Sequence, residues 1–248
     1  MNPRLHPLAE HLRLRGLAGA LDRELARAQK EGSPVEEVLG RLLCEELRYR
    51  EDQSLTYRLH QARIPWDWTL ETFPFDRQRS ASKAQIFSLA DLSFIERAQN
   101  IVFIGEPGTG KTGLAIGLLR KALLNGHRGL FLKAQDLIDQ LYASLADRST
   151  PKLLQRLARY PLLVIDEIGY LTLKPEQSNA FFKLIDERYG KTATVLTTNL
   201  DYDDWYALFQ RKSLVDALLD RLRHHAITIR LKPPSLRTPD EQPSPDPA

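Results

Sequence analysis

The stretch "NIVFIGEPGTGKTGLAIGLLRKALL", Asn100 to Leu124, decides how the rest of the chain is read. It opens with a short β-branched apolar run and turns through a glycine-rich loop. It then continues with the apolar periodicity of a helix. The loop spans Gly105, Glu106, Pro107, Gly108, Thr109, Gly110, Lys111, Thr112 and Gly113. Its glycines let successive backbone N–H groups point inward, and the helix that follows presents its positive end to the same place. Lys111 adds a mobile point charge for phosphates, and Thr112 adds a hydroxyl suited to Mg²⁺. A nucleotide-binding fold of the P-loop class is expected, with ATP and Mg²⁺ as cofactors.

Working outward, "RGLFLKA", "PLLVIDE", "TATVLTT" and "AITIRL" are four more apolar runs of strand length. The helical stretches between them are long enough for crossovers, so an α/β core with a five-stranded, mostly parallel sheet is expected. "LLVIDE" ends in Asp166 and Glu167. Asp166 is suited to orient Mg²⁺ and Glu167 to polarise an attacking water. The strand "TATVLTT" runs into Asn199, which can hydrogen-bond a γ-phosphate or that water, or can simply form a turn.

The flanks bound the remaining possibilities. The chain has 248 residues and a formal charge of +3. This is mildly basic, compatible with nucleic acid but short of a footprint that argues for it alone. No apolar run reaches the length of a membrane span, and one cysteine, Cys44, cannot form an internal disulfide. A reducing cytoplasm fits, and Cys44 is read as a small buried apolar side chain. Residues 1–70 read as a small helical domain broken at Gly32, Ser33 and Pro34, with Leu17, Leu21 and Leu25 on one face. Val38, Leu42 and Leu43 are expected along one side of the next helix. "IPWDWTLETFPFD" is a connector whose tryptophans, with Trp205, are read as packing residues. Residues 71–232 form the nucleotide-binding core. Residues 233–248 are rich in proline and are expected to be disordered.

Taken together, "IVFIGEPGTGKTGLA", "LLVIDEIGYL", "TTN" and "ALLDRLRHHA", with "LSFIERAQN" and "EELRYRE" upstream, resemble IstB. This is the AAA+ helper ATPase family of bacterial insertion sequences. They are more distantly similar to DnaC-type helicase loaders. The resemblance implies a homo-oligomer with ATP at subunit interfaces, in which Arg221 is the arginine finger reaching a neighbour's γ-phosphate. The alternative is that Arg221 pairs with a carboxylate of its own subunit. It also implies an AAA+ core without the usual C-terminal helical lid. Where IstB-like chains show Ser-Tyr-Arg after the last strand, this one has Ser235-Leu236-Arg237. Arg237 is a candidate additional phosphate sensor. The family often has histidine where this chain has Gly113.

Between the second and third strands the chain carries more helix than a minimal ATPase requires. In "TPKLLQRLARY", Lys152, Arg156 and Arg159 form one basic stripe while Leu153, Leu154 and Leu157 turn inward. The stripe is either a solvated face or a DNA contact that reads phosphates rather than bases. The resemblance implies a DNA-dependent assistant of a transposase, multimerising on duplex DNA. A helicase loader is the alternative, and a slow nucleotide-switched scaffold is a third reading.

Overall fold

The computed structural model describes residues 4–237 apart from 172, 210 and 211. Contacts divide the chain into two compact units, Met1–Arg58 and Leu59–Ala248. The first holds α1 (Leu5–His11), α2 (Arg15–Glu31) and most of α3 (Val35–Gln61). Ala20, Leu21, Val38 and Leu42 form its small core, with Leu17 and Leu25 against it. Gly32 takes the left-handed conformation that ends α2, at φ 65°. The buried Glu46 carboxylate accepts from the Gly16 and Leu17 amides at 2.8 and 3.1 Å, at the positive end of α2. Two expectations fail here. Cys44 is exposed, and Leu43 lies on the outer face of α3, 53% exposed.

The second unit begins with α4 (Lys83–Leu89) and α5 (Ser93–Glu96), then alternates strand and helix. β1 (Asn100–Gly105), α6 (Lys111–Leu124), β2 (Gly129–Lys133), α7 (Ala134–Ala146), α8 (Thr150–Ala158) and β3 (Leu162–Asp166) come first. α9 (Pro175–Arg188), β4 (Ala193–Thr198), α10 (Trp205–Leu208), α11 (Lys212–His224) and β5 (Ala226–Leu231) follow. The five strands lie in the order β2-β3-β4-β1-β5, and every pairing is parallel.

Strand alternation explains the layers. Ile101 and Phe103 of β1 point with Val164 and Val195 into the core beneath α6. Val102 and Ile104 point with Leu163, Ile165 and Leu196 into the opposite core, which buries α7, α8, α9 and α11. Both faces are covered, so the strands are largely apolar, as a parallel sheet requires, with Thr194, Thr197 and Thr198 of β4 buried among them. The connector belongs to the second unit: Ala62 and Leu70 are buried in the α6 core, with Phe73 and Phe75 packed against it. For that reason the contact boundary falls earlier than residue 70.

Ser149 precedes α8 without a side-chain capping bond, and Pro151 lies in the first turn. The Thr150 hydroxyl instead meets Ser144 Oγ at 2.9 Å. Arg188 is 1% exposed. It donates to the carbonyls of Leu157 at 2.8 Å, Tyr160 at 3.0 Å and Ala193, and to the Thr194 hydroxyl at 2.9 Å. It thus ties the end of α8 to the start of β4 without a carboxylate, and burial pushes its pKa down to about 9. Among the described residues no helix follows β5, and no helix is long and apolar enough to cross a membrane. Residues 238–248 of the expected disordered tail lie outside the described residues. Residues 233–237 instead dock on the phosphate loop, where the Leu236 amide donates to the Gly108 carbonyl at 2.8 Å.

Candidate functional site

The loop after β1 sits where the strand order reverses, with β4 on one side of β1 and β5 on the other. In open α/β sheets that position forms a crevice at the carboxyl ends of the strands. Gly108 and Gly110 adopt φ of 85° and 93°, a conformation that side-chain-bearing residues rarely take. Lys111 Nζ donates to the carbonyls of Gly105 and Glu106 at 2.7 and 2.8 Å, so the ammonium lies over the loop. Burial lowers its pKa, opposed by Asp166 and Glu167, while Arg237 adds to the lowering.

β4 lies between β1 and β3, and its threonines join the two ends. Asp166 Oδ1 accepts from Thr112 Oγ1 at 2.8 Å and from Thr197 Oγ1 at 2.5 Å. Burial raises the Asp166 pKa, and the two hydroxyl donors partly offset it. The Thr197 hydroxyl oxygen also accepts from the Glu167 amide at 2.9 Å. Glu167 itself holds a φ of 64°, strained for a residue with a side chain, and its carboxylate is exposed. Asn199 Oδ1 is buried without a hydrogen-bond partner. The hard oxygens of Thr112 and Asp166 are the donor set that Mg²⁺ takes.

These groups converge on one cavity of about 290 Å³. Of the expected residues, Pro107, Gly108, Gly110, Lys111, Thr112, Gly113, Glu167, Asn199 and Arg237 line it. Asp166 stands behind Thr112. Arg221 does not line it. Its Nε donates to Asp186 at 2.6 Å and its guanidinium lies 4.9 Å from the Phe182 ring centre, the own-chain pairing weighed for it. Arg223, on another face of α11, lies over Tyr202 at 5.0 Å.

Lys152, Arg156 and Arg159 line a second, separate concavity, also of about 290 Å³. Leu154 and Leu157 are buried beneath it. Arg128, from the loop before β2, completes this basic surface. Nothing in the local sequence around Arg128 signals that.

Several further contributors were invisible in the sequence. Gln78 is 0% exposed. Its Nε2 donates to Thr109 O at 3.0 Å and to Lys232 O at 3.1 Å, and its Oε1 accepts from Ser80 Oγ at 2.5 Å. The phosphate loop is thereby tied to the chain leaving β5. Thr197 is a second such residue. Trp68, read as packing, is 43% exposed and lines the cavity; Trp205 is fully buried.

Comparison with known proteins finds relatives along nearly the whole chain. Residues 7–244 match the family described as IstB-like ATP binding protein. The chain is 37% identical over 238 residues to the ATP-binding protein of insertion sequence IS21 from Pseudomonas aeruginosa, covering 96% of this chain and 90% of that one. It is 34% identical to the ATP-binding protein of insertion sequence IS5376 from Geobacillus stearothermophilus, covering 96% and 94%. Among solved structures it is similar in fold to the DnaC helicase loader, with a TM-score of 0.58 and 24% identity. That match covers 69% of this chain and 100% of that one. It is also similar to the replication initiator DnaA bound to AMPPCP and single-stranded DNA, with a TM-score of 0.59 and 18% identity, covering 69% and 52%.

Proposed function

Because the chain belongs to the IstB-like ATP-binding protein family, an AAA+ family of ATP-binding proteins, we propose that it hydrolyses ATP between subunits assembled on DNA and assists the transposase of an insertion sequence. The observation that carries the hydrolytic part is the convergence of Lys111, Glu167 and Asn199 on one cavity, with Asp166 bonded to Thr112 behind it. In this reading the loop amides and Lys111 bind and orient the phosphates. Thr112 and Asp166 hold Mg²⁺, which when bound neutralises phosphate charge. Glu167, exposed at the end of β3 in a strained backbone, orients and deprotonates the attacking water. The unpartnered Asn199 Oδ1 accepts from the attacking water, and Nδ2 of the same amide is the donor available to the terminal phosphate. Arg237 adds charge at the cavity rim in place of a lid arginine.

Arg221 completes the site of a neighbouring copy. Its guanidinium leaves Asp186 for a more highly charged acceptor, the neighbour's γ-phosphate. The Lys152, Arg156, Arg159 and Arg128 surface follows the backbone of duplex DNA without reading bases. A replicative helicase loader is the second reading and shares this motor; the likeness to the DnaC loader is one of fold. The relatives along nearly the whole chain are insertion-sequence proteins, which favours the transposition role.

The deciding experiment mixes two inactive variants in the presence of duplex DNA. Arg221→Ala has an intact cradle and no finger; Glu167→Gln has a finger and no base. Each alone is expected to bind ATP without turnover, and the mixture to regain part of it. A mixture as inactive as its components would sink the shared-site reading.

A further inference from the structure

The connector before the core crosses the phosphate-loop helix along one face that is bare of side chains. A Cβ on Gly110 would sit 2.7 Å from the Phe73 ring, one on Gly113 would sit 3.2 Å from the Trp68 ring, and one on Gly117 would sit 2.6 Å from Leu70. The connector is pinned there by Asp67, whose carboxylate accepts from Arg120 of α6 at 2.7 Å. Leu70 behind it is fully buried. Yet Trp68 is 43% exposed, and Trp66, stacked on it with ring centres 4.9 Å apart, is 47% exposed. Two adjacent large aromatic rings left half in water, with one lining a cavity, are the kind of surface that signals a ligand.

The cavity has a direction. Glu167, Asn199 and Tyr170 line the end beneath β3 and β4, where a terminal phosphate belongs, and Lys111 lies between. Trp68, Thr72 and Phe73 line the other wall, against the first turn of α6. A nucleotide whose phosphates lie on the loop therefore carries its base toward Trp68 and Phe73.

Resting on the nucleotide reading above, we infer that Trp68, backed by Trp66, is the platform on which the nucleobase of ATP stacks, and that Gly113 is glycine because the Trp68 ring occupies the space a side chain would fill. A flat π-face on Trp68 grips any base, while Phe73 closes the pocket at Gly110. A Cβ at 113 would start 3.2 Å from the ring, so a larger side chain there displaces Trp68.

The test separates the base from the phosphates. Binding of ATP and of inorganic tripolyphosphate, each with Mg²⁺, is measured by calorimetry on the full chain, with tryptophan emission recorded alongside. In the wild type, ATP binds more tightly than tripolyphosphate and quenches emission, whereas tripolyphosphate leaves emission unchanged. Trp68→Ala is expected to weaken ATP binding about 10-fold, equal to about 1.4 kcal/mol, with tripolyphosphate affinity unchanged. Trp68→Phe retains most of the affinity. Gly113→His, which pushes the ring aside, reproduces the loss, and the double variant loses no more than either single one.

Equal loss of ATP and tripolyphosphate binding in Trp68→Ala would make Trp68 a structural support and overturn the inference. So would unchanged ATP affinity. A wild type that binds tripolyphosphate as tightly as ATP would remove the base platform while leaving the phosphate cradle standing. A wild type that binds neither would remove both.

Discussion

Gln78→Met isolates what the buried amide does for the phosphate loop. Methionine keeps nearly the same volume and is apolar, so the change removes hydrogen bonds with little cavity. The Thr109 carbonyl, on a residue 1% exposed, loses its 3.0 Å donor, and the Lys232 carbonyl loses one at 3.1 Å. Ser80 Oγ loses its acceptor at 2.5 Å but still accepts from the Lys232 amide at 2.8 Å. A stranded buried carbonyl costs about 1–3 kcal/mol, and the bonds lost at the partly exposed Lys232 and Ser80 sites cost about 1 kcal/mol each, so about 3–5 kcal/mol is expected in all. For a unit of this size that lowers Tm by about 6–20 °C.

Thr109 lies inside the loop, so its anchorage also sets how well ordered the cradle is before ligand arrives. Ordering it on binding should cost about 1 kcal/mol and weaken ATP binding about five-fold. Urea unfolding followed by fluorescence gives the first number, and titration with a non-hydrolysable ATP analogue the second. A loss under about 1 kcal/mol with unchanged affinity would refute the idea that this side chain ties the loop to the end of β5.

Asp166→Asn should raise the stability of the ligand-free chain near neutral pH while abolishing Mg²⁺-dependent turnover. Burial raises the Asp166 pKa above its ordinary value of 3.8, so the folded chain holds this proton more tightly than the unfolded chain, and its contribution to stability declines as pH rises from below that value. The asparagine variant should lack this decline, measured as Tm against pH; an unchanged profile would count against the burial argument. Replacing Lys152, Arg156 and Arg159 together by alanine should lower the magnitude of the slope of log affinity for duplex DNA against log salt by about 3. An unaltered slope would take that surface out of the DNA path. Arg128→Ala should lower it further by about 1, whereas no change would leave Arg128 outside the footprint.

The phosphate loop was legible because its function is local. Glycines at 108 and 110 set the backbone of their own turn, and Lys111 and Thr112 follow on the next helical turn. The five strands were legible for a similar reason: both faces of a parallel sheet are buried, so most strand positions are apolar or β-branched. Asp166, Glu167 and Asn199 could be found by their places at strand ends. What joins them could not. Thr197 reaches Asp166 only because β4 lies between β1 and β3, a strand order that no stretch of sequence states.

Gln78, Arg128 and Arg188 were missed because each meets partners distant in the chain and belongs to no periodic pattern. The exposed Leu43 and Cys44 went the other way: apolar spacing on α3 marks a face without saying whether anything in the first unit covers it. Trp68 does pack, against Gly113 and Trp66, but that it also lines the cavity emerges only from the glycine face it crosses. Sequence by itself determined the elements and the groups that handle phosphate, since both depend on neighbours a few residues apart. Tertiary structure alone decided which side chains hold those groups in place and which line the cavity beside them, because these rest on contacts that only the assembled sheet and the returning chain bring within reach.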